Sequence, residues 1–351
     1  MTARFFRDRD FIRTQEGFLF CVIGHCHPVD RVVSYLKYIP SQEGLWQRDN
    51  IKFKRVMRKY TISNLLETFN LLSESYPHYL FFSPVYNIKM TAVPQNYVKR
   101  HYKCEVRLQE LLKNNMTIDP LLEKVCRLVV LLSEQSRIQT NSFGVTGSIL
   151  INIHNPEFSD IDLTVYGIKN SYFLKKTLKK NYIARDSNIR TFEANERKRW
   201  INQKIKNHPI NIGEAERLFS RKWNIGVFEH TSFSLHPVKL EEETTEKYGD
   251  KIYRPEGKIT LQAVVTDSQD SIFLPGTYKV EEVKVVGREG LDIRKVVTYE
   301  DLYCGVAEAG EVISVRGKLE HVEDTQTGLE YDRVIVGSTE GRGKEYIVPK
   351  K

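Results

Sequence analysis

The chain reads as an α+β protein of three domains, on three observations. Its 351 residues exceed what one ordinary core organises. Helical and strand patterns interleave between residues 103 and 245. Beyond residue 246 only strand patterns occur, separated by turn residues. The expected division is an N-terminal α+β unit (1–102), a central α+β domain (103–245) and a C-terminal all-β, barrel-like domain (246–351).

The elements follow in order. Residues 11–23 alternate around Gln15-Glu16-Gly17, the pattern of a hairpin. Residues 32–36 are largely apolar and fit helix or strand. A basic stretch runs from Lys52 to Lys59. Leu65, Leu66, Phe69 and Leu72 recur at helical spacing, predicting a helix over 62–73. Residues 79–88 are aromatic-rich and read as strand. Residues 104–112 predict a helix. Residues 120–138 predict the longest one, with Pro120 at its first position and a broad apolar stripe from Leu122 to Leu132. A short strand (143–145) then runs into a turn at Thr146-Gly147, a short helix from Ser148, and a strand over 160–166. Basic helical stretches occupy 171–180 and, in pieces, 191–222. A last strand covers 231–235. The acidic run from Glu241 to Glu246 reads as a linker. Strands are expected over 259–265, 277–286, 311–321 and 330–336, enough for a small barrel.

Composition narrows the function. No apolar run approaches a membrane span, and residues 1–13 lack the apolar core of a signal peptide, so no membrane partner is expected and the reading is cytoplasmic. Five scattered cysteines form no CxxC pair and no disulfide pattern. His25-Cys26-His27 offers too few ligands for zinc. The net charge of +8 is concentrated. Residues 168–222 hold fifteen Lys/Arg against five acids, and the remainder is slightly acidic. Such a region draws polyanions, or else is a solvated helix face.

Chemistry is concentrated at Gly147-Ser148 and Asp160-Ile161-Asp162, with eleven residues between Ser148 and Asp160. Residues i and i+2 on a strand share a face, so the two carboxylates converge. A pair this close repels unless a cation sits between, and Mg²⁺ takes oxygen ligands and substrate phosphates together. Glycine before serine lets an amide and a hydroxyl approach phosphate, with free helix N–H groups behind them.

The segment from Gly144 through Gly147-Ser148 to Asp160-Ile-Asp-Leu163 resembles the signature of the DNA polymerase β-like nucleotidyltransferase superfamily, over roughly residues 103–245. The order of features is similar to a group of predicted archaeal nucleotidyltransferases. Their N-terminal Gly-x-x-His-Pro-x-Asp-Arg stretch is matched by Gly24 to Arg31. The resemblance implies a nucleotidyltransferase core in which Asp160 and Asp162 hold two Mg²⁺ ions and Gly147 and Ser148 bind a nucleoside triphosphate. It also implies a third carboxylate on a later strand.

That acid is not evident. On 231–236, Ser232, Ser234 and His236 share the site face, and His236 is the candidate substitute, as ligand or base. Glu229 has the wrong parity without a bulge, and Asp186, Glu193 and Glu241 reach the site only through loop geometry. Two classes therefore stand: an enzyme transferring NMP from an NTP to a hydroxyl, or a lapsed nucleotide- or RNA-binding module of the same fold. A protein-modifying adenylyltransferase is a third. RNA or DNA is the leading partner, through the basic region and an OB-like C-terminal domain in which Tyr278, Tyr299 and Tyr303 either stack on bases or pack the core.

Overall fold

The computed structural model describes residues 5–57, 62–113, 119–184, 187–341 and 343–350. It is a mixed α/β protein, with seven α-helices among the described residues and three sheets. The chain forms two compact units that interleave in sequence. One comprises residues 1–58, 91–192 and 223–245, the other residues 59–90, 193–222 and 246–351.

In the first unit, β1 (Phe11–Thr14) and β2 (Leu19–Val22) form the expected hairpin, and β3 (Arg31–Pro40) takes the run left open between helix and strand. The basic stretch holds part of a second hairpin, β4 (Trp46–Arg48) and β5 (Ile51–Arg55), that the sequence did not announce. The order β4-β5-β3-β2-β1 is completed by β8 (Val98–Tyr102). The other unit contains α1 (Ile62–Ser75) and β6 (Leu80–Ser83), and β7 (Ile88–Pro94) runs from it into the first unit, where Val32 pairs with Val93.

The N-terminal sheet and the central α+β region share one core. Phe11, Leu19, Cys21, Tyr38 and Phe53 pack with Leu150, Ile151, Ile153, Tyr166 and Val238. Segment 7–10 is stitched to the same region. Arg7 pairs with Glu105, Asp10 accepts from His101 (2.8 Å), and Thr146 Oγ1 donates to Arg9 O (2.7 Å). Residues 1–102 and 103–245 thus contribute to a single hydrophobic interior.

The central sheet has the order β11 (Ile189–Arg190), β12 (Ile225–Phe228), β13 (Thr231–Val238), β10 (Ile161–Tyr166) and β9 (Phe143–Val145). Helices α2 (Cys104–Lys113), α3 (Pro120–Ser136), α4 (Gly147–Leu150) and α5 (Ile168–Asn181) belong with it. The predicted stripe of α3 is buried from Leu121 to Leu132, and Asp119 caps the helix through the amides of Leu121 and Leu122. The acidic run at 241–246 begins as a turn, in which Glu243 accepts from Ile168 N at 3.0 Å and anchors the start of α5.

In the second unit, β14 (Lys251–Asp267), β15 (Gly276–Val285), β16 (Ile293–Thr298), β18 (Glu330–Val336) and β17 (Val312–Asp324) close into a barrel, because β14 also pairs with β17. β19 (Tyr346–Pro349) adds to β17. Helices α6 (Ala194–Asn207) and α7 (Ile212–Arg221) bury Ile201, Ala215 and Leu218 in the barrel core. The basic region is therefore divided, α5 in the first unit and α6 and α7 in the second. Tyr278 and Tyr303 are fully buried, with the Tyr278 hydroxyl on Tyr303 O at 2.6 Å, so both are core residues rather than stacking platforms. Among the described residues no helix is long and apolar enough to cross a membrane.

A candidate carboxylate site under the N-terminal sheet

Asp162 is the second residue of β10. Its neighbours Ile161 and Leu163 are fully buried, which turns Asp162 to the opposite face. Asp160, just before the strand, shares that parity and is exposed. The charge of Asp162, above all, pushes the Asp160 carboxyl up to about 6. Burial would raise Asp162 too. The His236 ring, the Lys37 ammonium and the Ser234 hydroxyl outweigh it and hold Asp162 well below the ordinary carboxylate range. The two acids thus form an unequal pair, one firmly ionised and one that its neighbour resists ionising.

Gly147 has φ +65°, and a Cβ there would lie 2.4 Å from Asp162 Oδ2. The glycine is required twice, for a left-handed turn and for the approach of the carboxylate. Its role here is to make room for Asp162, a reason that sequence reading assigned instead to phosphate. α4 is a single turn, too short for an appreciable dipole. Ser148 is buried, and its Oγ lies 3.5 Å from Ser159 Oγ. The loop between them is fixed at its start by His154, whose Nε2 lies 2.7 Å from Asp119 Oδ2.

β13 runs parallel to β10 with Ser234 opposite Asp162 and His236 opposite Thr164. Ser234 Oγ donates to Asp162 Oδ1 at 2.5 Å and accepts from His236 Nε2 at 2.9 Å. His236 Nε2 itself is 3.8 Å from Asp162 Oδ1. His236 therefore does not end a strand: β13 continues to Val238, and the ring steadies Asp162 through the serine.

Among the described residues none of the expected alternatives supplies a third acid: Glu229 pairs with Arg127 at 2.7 Å, Glu193 caps α6 in the other unit, and Glu241 is exposed in a turn. Asp186 lies outside the described residues. Among the described residues no group of three or more His, Cys, Asp or Glu gathers at metal-binding spacing.

The N-terminal sheet supplies what sequence reading missed. Lys37 is buried on β3, and its charge and that of Arg55 on β5 partly offset the rise at Asp160. Asp8, buried beside Arg9 and accepting from Gly24 N at 2.9 Å, also feels the charge of His236. These residues precede the carboxylates by more than a hundred positions, and no local pattern marks them. The His25-Cys26-His27 cluster has a structural use. His27 accepts from Val33 N (3.3 Å) and faces Phe6 O (3.2 Å), and burial pushes its pKa down to about 4, so it is a neutral fastener of the loop.

Fold and site together define a mixed α/β protein whose conspicuous chemistry is an acidic pair on a central strand. No family model matches the chain, and no solved structure matches it. It is 31% identical over 347 residues to an uncharacterized protein of Methanocaldococcus jannaschii, covering 98% of this chain and 99% of that one. The chain belongs to the same family as this archaeal protein.

Proposed function

We propose that the chain is a Mg²⁺-dependent nucleotidyltransferase moving an NMP from an NTP to a hydroxyl acceptor. The observation that carries this reading is the carboxylate pair, Asp162 seated against Gly147 and Asp160 held up by Asp162's charge. The pair suits a hard divalent cation, because its positive charge relieves the repulsion that remains beside Lys37 and Arg55. Bound by Asp160 and Asp162, two Mg²⁺ ions would activate the acceptor hydroxyl and steady the leaving pyrophosphate.

The chain's own residues do the rest. Ser234 and His236 fix the Asp162 oxygen that faces them, leaving its Oδ2 on the Gly147 side. Lys37 and Arg55 bring positive charge to the carboxylates, where a triphosphate would otherwise be repelled. Ser148 adds at most one hydroxyl contact, since its side chain is buried on Ser159.

Nucleic acid is the acceptor class we favour. Supporting it are the Lys/Arg of α5, α6 and α7 and the closed ring β14-β15-β16-β18-β17 with β16 and β18 parallel, the order of an OB-type barrel. The absence of a carboxylate on β13 favours a second reading, a lapsed nucleotide- or RNA-binding protein.

Incubation with each labelled NTP and Mg²⁺, with and without total RNA, separates the readings. Label transferred to RNA supports the enzyme. Transfer to the chain or a co-purifying protein points to a protein-modifying adenylyltransferase. Mg²⁺-dependent NTP binding without transfer points to the lapsed form.

A further inference from the structure

An aromatic pair that begins two residues before Asp160 takes no part in the proposed chemistry. Phe158 lies two residues before Asp160, and its side chain is 53% exposed. Its ring meets Trp46 edge-on, at 6.0 Å and 83°. Trp46 in turn meets Tyr38 at 5.4 Å and packs on the core that the N-terminal sheet shares with α4 and β10. Tyr38 lies 5.9 Å from the ammonium of Lys37, whose charge acts on the acidic pair.

Both aromatics are held in place. Ser159 N donates to Asn155 O (2.9 Å), Ser159 Oγ accepts from Asn155 N (3.0 Å), and the same Oγ touches Ser148. Phe158 is thus pinned one residue from the loop serine and two from Asp160. Trp46 is fixed by pairing with Phe53 and by Arg48, whose Nη1 donates to Ile151 O at 3.4 Å. A half-exposed phenyl ring on a fastened loop forgoes burial that a floppy loop would allow it to seek.

The surroundings select the occupant. Two residues beyond Phe158 begin the acids suited to a divalent cation, where the charge of Lys37 and Arg55 is felt. Phe158 itself offers an exposed aromatic surface. A ligand meeting both needs a polyanionic end and a flat apolar end. We propose that Phe158 and Trp46 form the stacking face for the nucleobase of the bound nucleoside triphosphate. The inference rests on the nucleotidyltransferase reading and adds a base subsite to it. Stacking uses the π-face common to all bases, so the subsite discriminates by ring size, favouring purines.

The test is calorimetric titration of the full chain with Mg²⁺-ATP and with Mg²⁺-tripolyphosphate, which lacks a base. ATP is expected to bind about tenfold more tightly than tripolyphosphate. Phe158→Ala should bring ATP to the level of tripolyphosphate, leave tripolyphosphate unchanged, and lose affinity for ATP and GTP more than for CTP and UTP. Phe158→Tyr should restore the wild-type difference. Trp46→Phe should abolish quenching of tryptophan fluorescence by ATP while ATP still binds. Equal binding of ATP and tripolyphosphate by the wild type, or unchanged ATP affinity in Phe158→Ala, overturns the base subsite and leaves the metal–triphosphate site standing. If neither ligand binds the wild type, both readings fall.

Discussion

Asp160 takes up a proton at about 6 in the folded protein, against an ordinary 3.8, above all because Asp162 is charged beside it. Between about pH 4 and 6 Asp160 therefore binds more proton in the folded state than in the unfolded one, and its own contribution to stability falls as pH rises through that window. Asp160→Asn should remove this loss. In thermal melts with EDTA the variant should be at least as stable as wild type above pH 6, its advantage growing as pH rises from about 4 to 6. Added Mg²⁺ should raise the wild-type Tm above pH 6 and do less for the variant. A variant less stable than wild type without metal would mean that the pair is not repulsive. Gly147→Ala meets two obstacles, a left-handed backbone that costs a non-glycine residue about 1–2 kcal/mol and a Cβ driven into Asp162. It should destabilise the protein by at least that amount and weaken Mg²⁺-dependent nucleotide binding, whereas Ser148→Ala should weaken it only slightly.

At the scale of elements, β13 takes the place where the resemblance expects an acid and presents Ser234 and His236 instead. Ser234→Ala deletes a hydrogen bond to an ionised carboxylate, a loss of about 1.5–3 kcal/mol in stability. Because the serine relays His236 to Asp162, Ser234→Ala and His236→Ala should be non-additive. If His236 substitutes for the missing acid, His236→Ala should depress transfer steeply while nucleotide binding survives. Equal, small effects on both would reduce it to a support. The sequence made these strands legible because their apolar residues alternate, and the positions of Asp160, Asp162, Ser234 and His236 on one face followed from parity alone. The hairpin β4–β5 was not legible. Its strands are three and five residues long, and their exposed lysines and arginines mask the pattern. The short pairing strands β11 and β12 escaped for the same reason of length, and β16 because its apolar residues are too few to stand out.

For the whole molecule, sequence order misleads about what packs together. The N-terminal sheet carries core residues that complete the interior under β10 and β13, so a fragment beginning at Lys103 should lack the buried partners of Leu150, Ile151 and Val238. The fifteen cations of 168–222 likewise belong to two units, a division that a charge count along the chain does not reveal. What the carboxylates need, Lys37 and Arg55, comes instead from strands whose composition gave no hint of the site. The measurement that bears most directly on the proposed chemistry is calorimetric titration of NTP, with and without Mg²⁺, on the double variant Asp160→Asn, Asp162→Asn. Wild type should bind NTP in a Mg²⁺-dependent manner, and the folded double variant should lose that dependence. Unchanged Mg²⁺-dependent binding by the double variant would show that Asp160 and Asp162 are not the metal site, and the nucleotidyltransferase reading would be wrong.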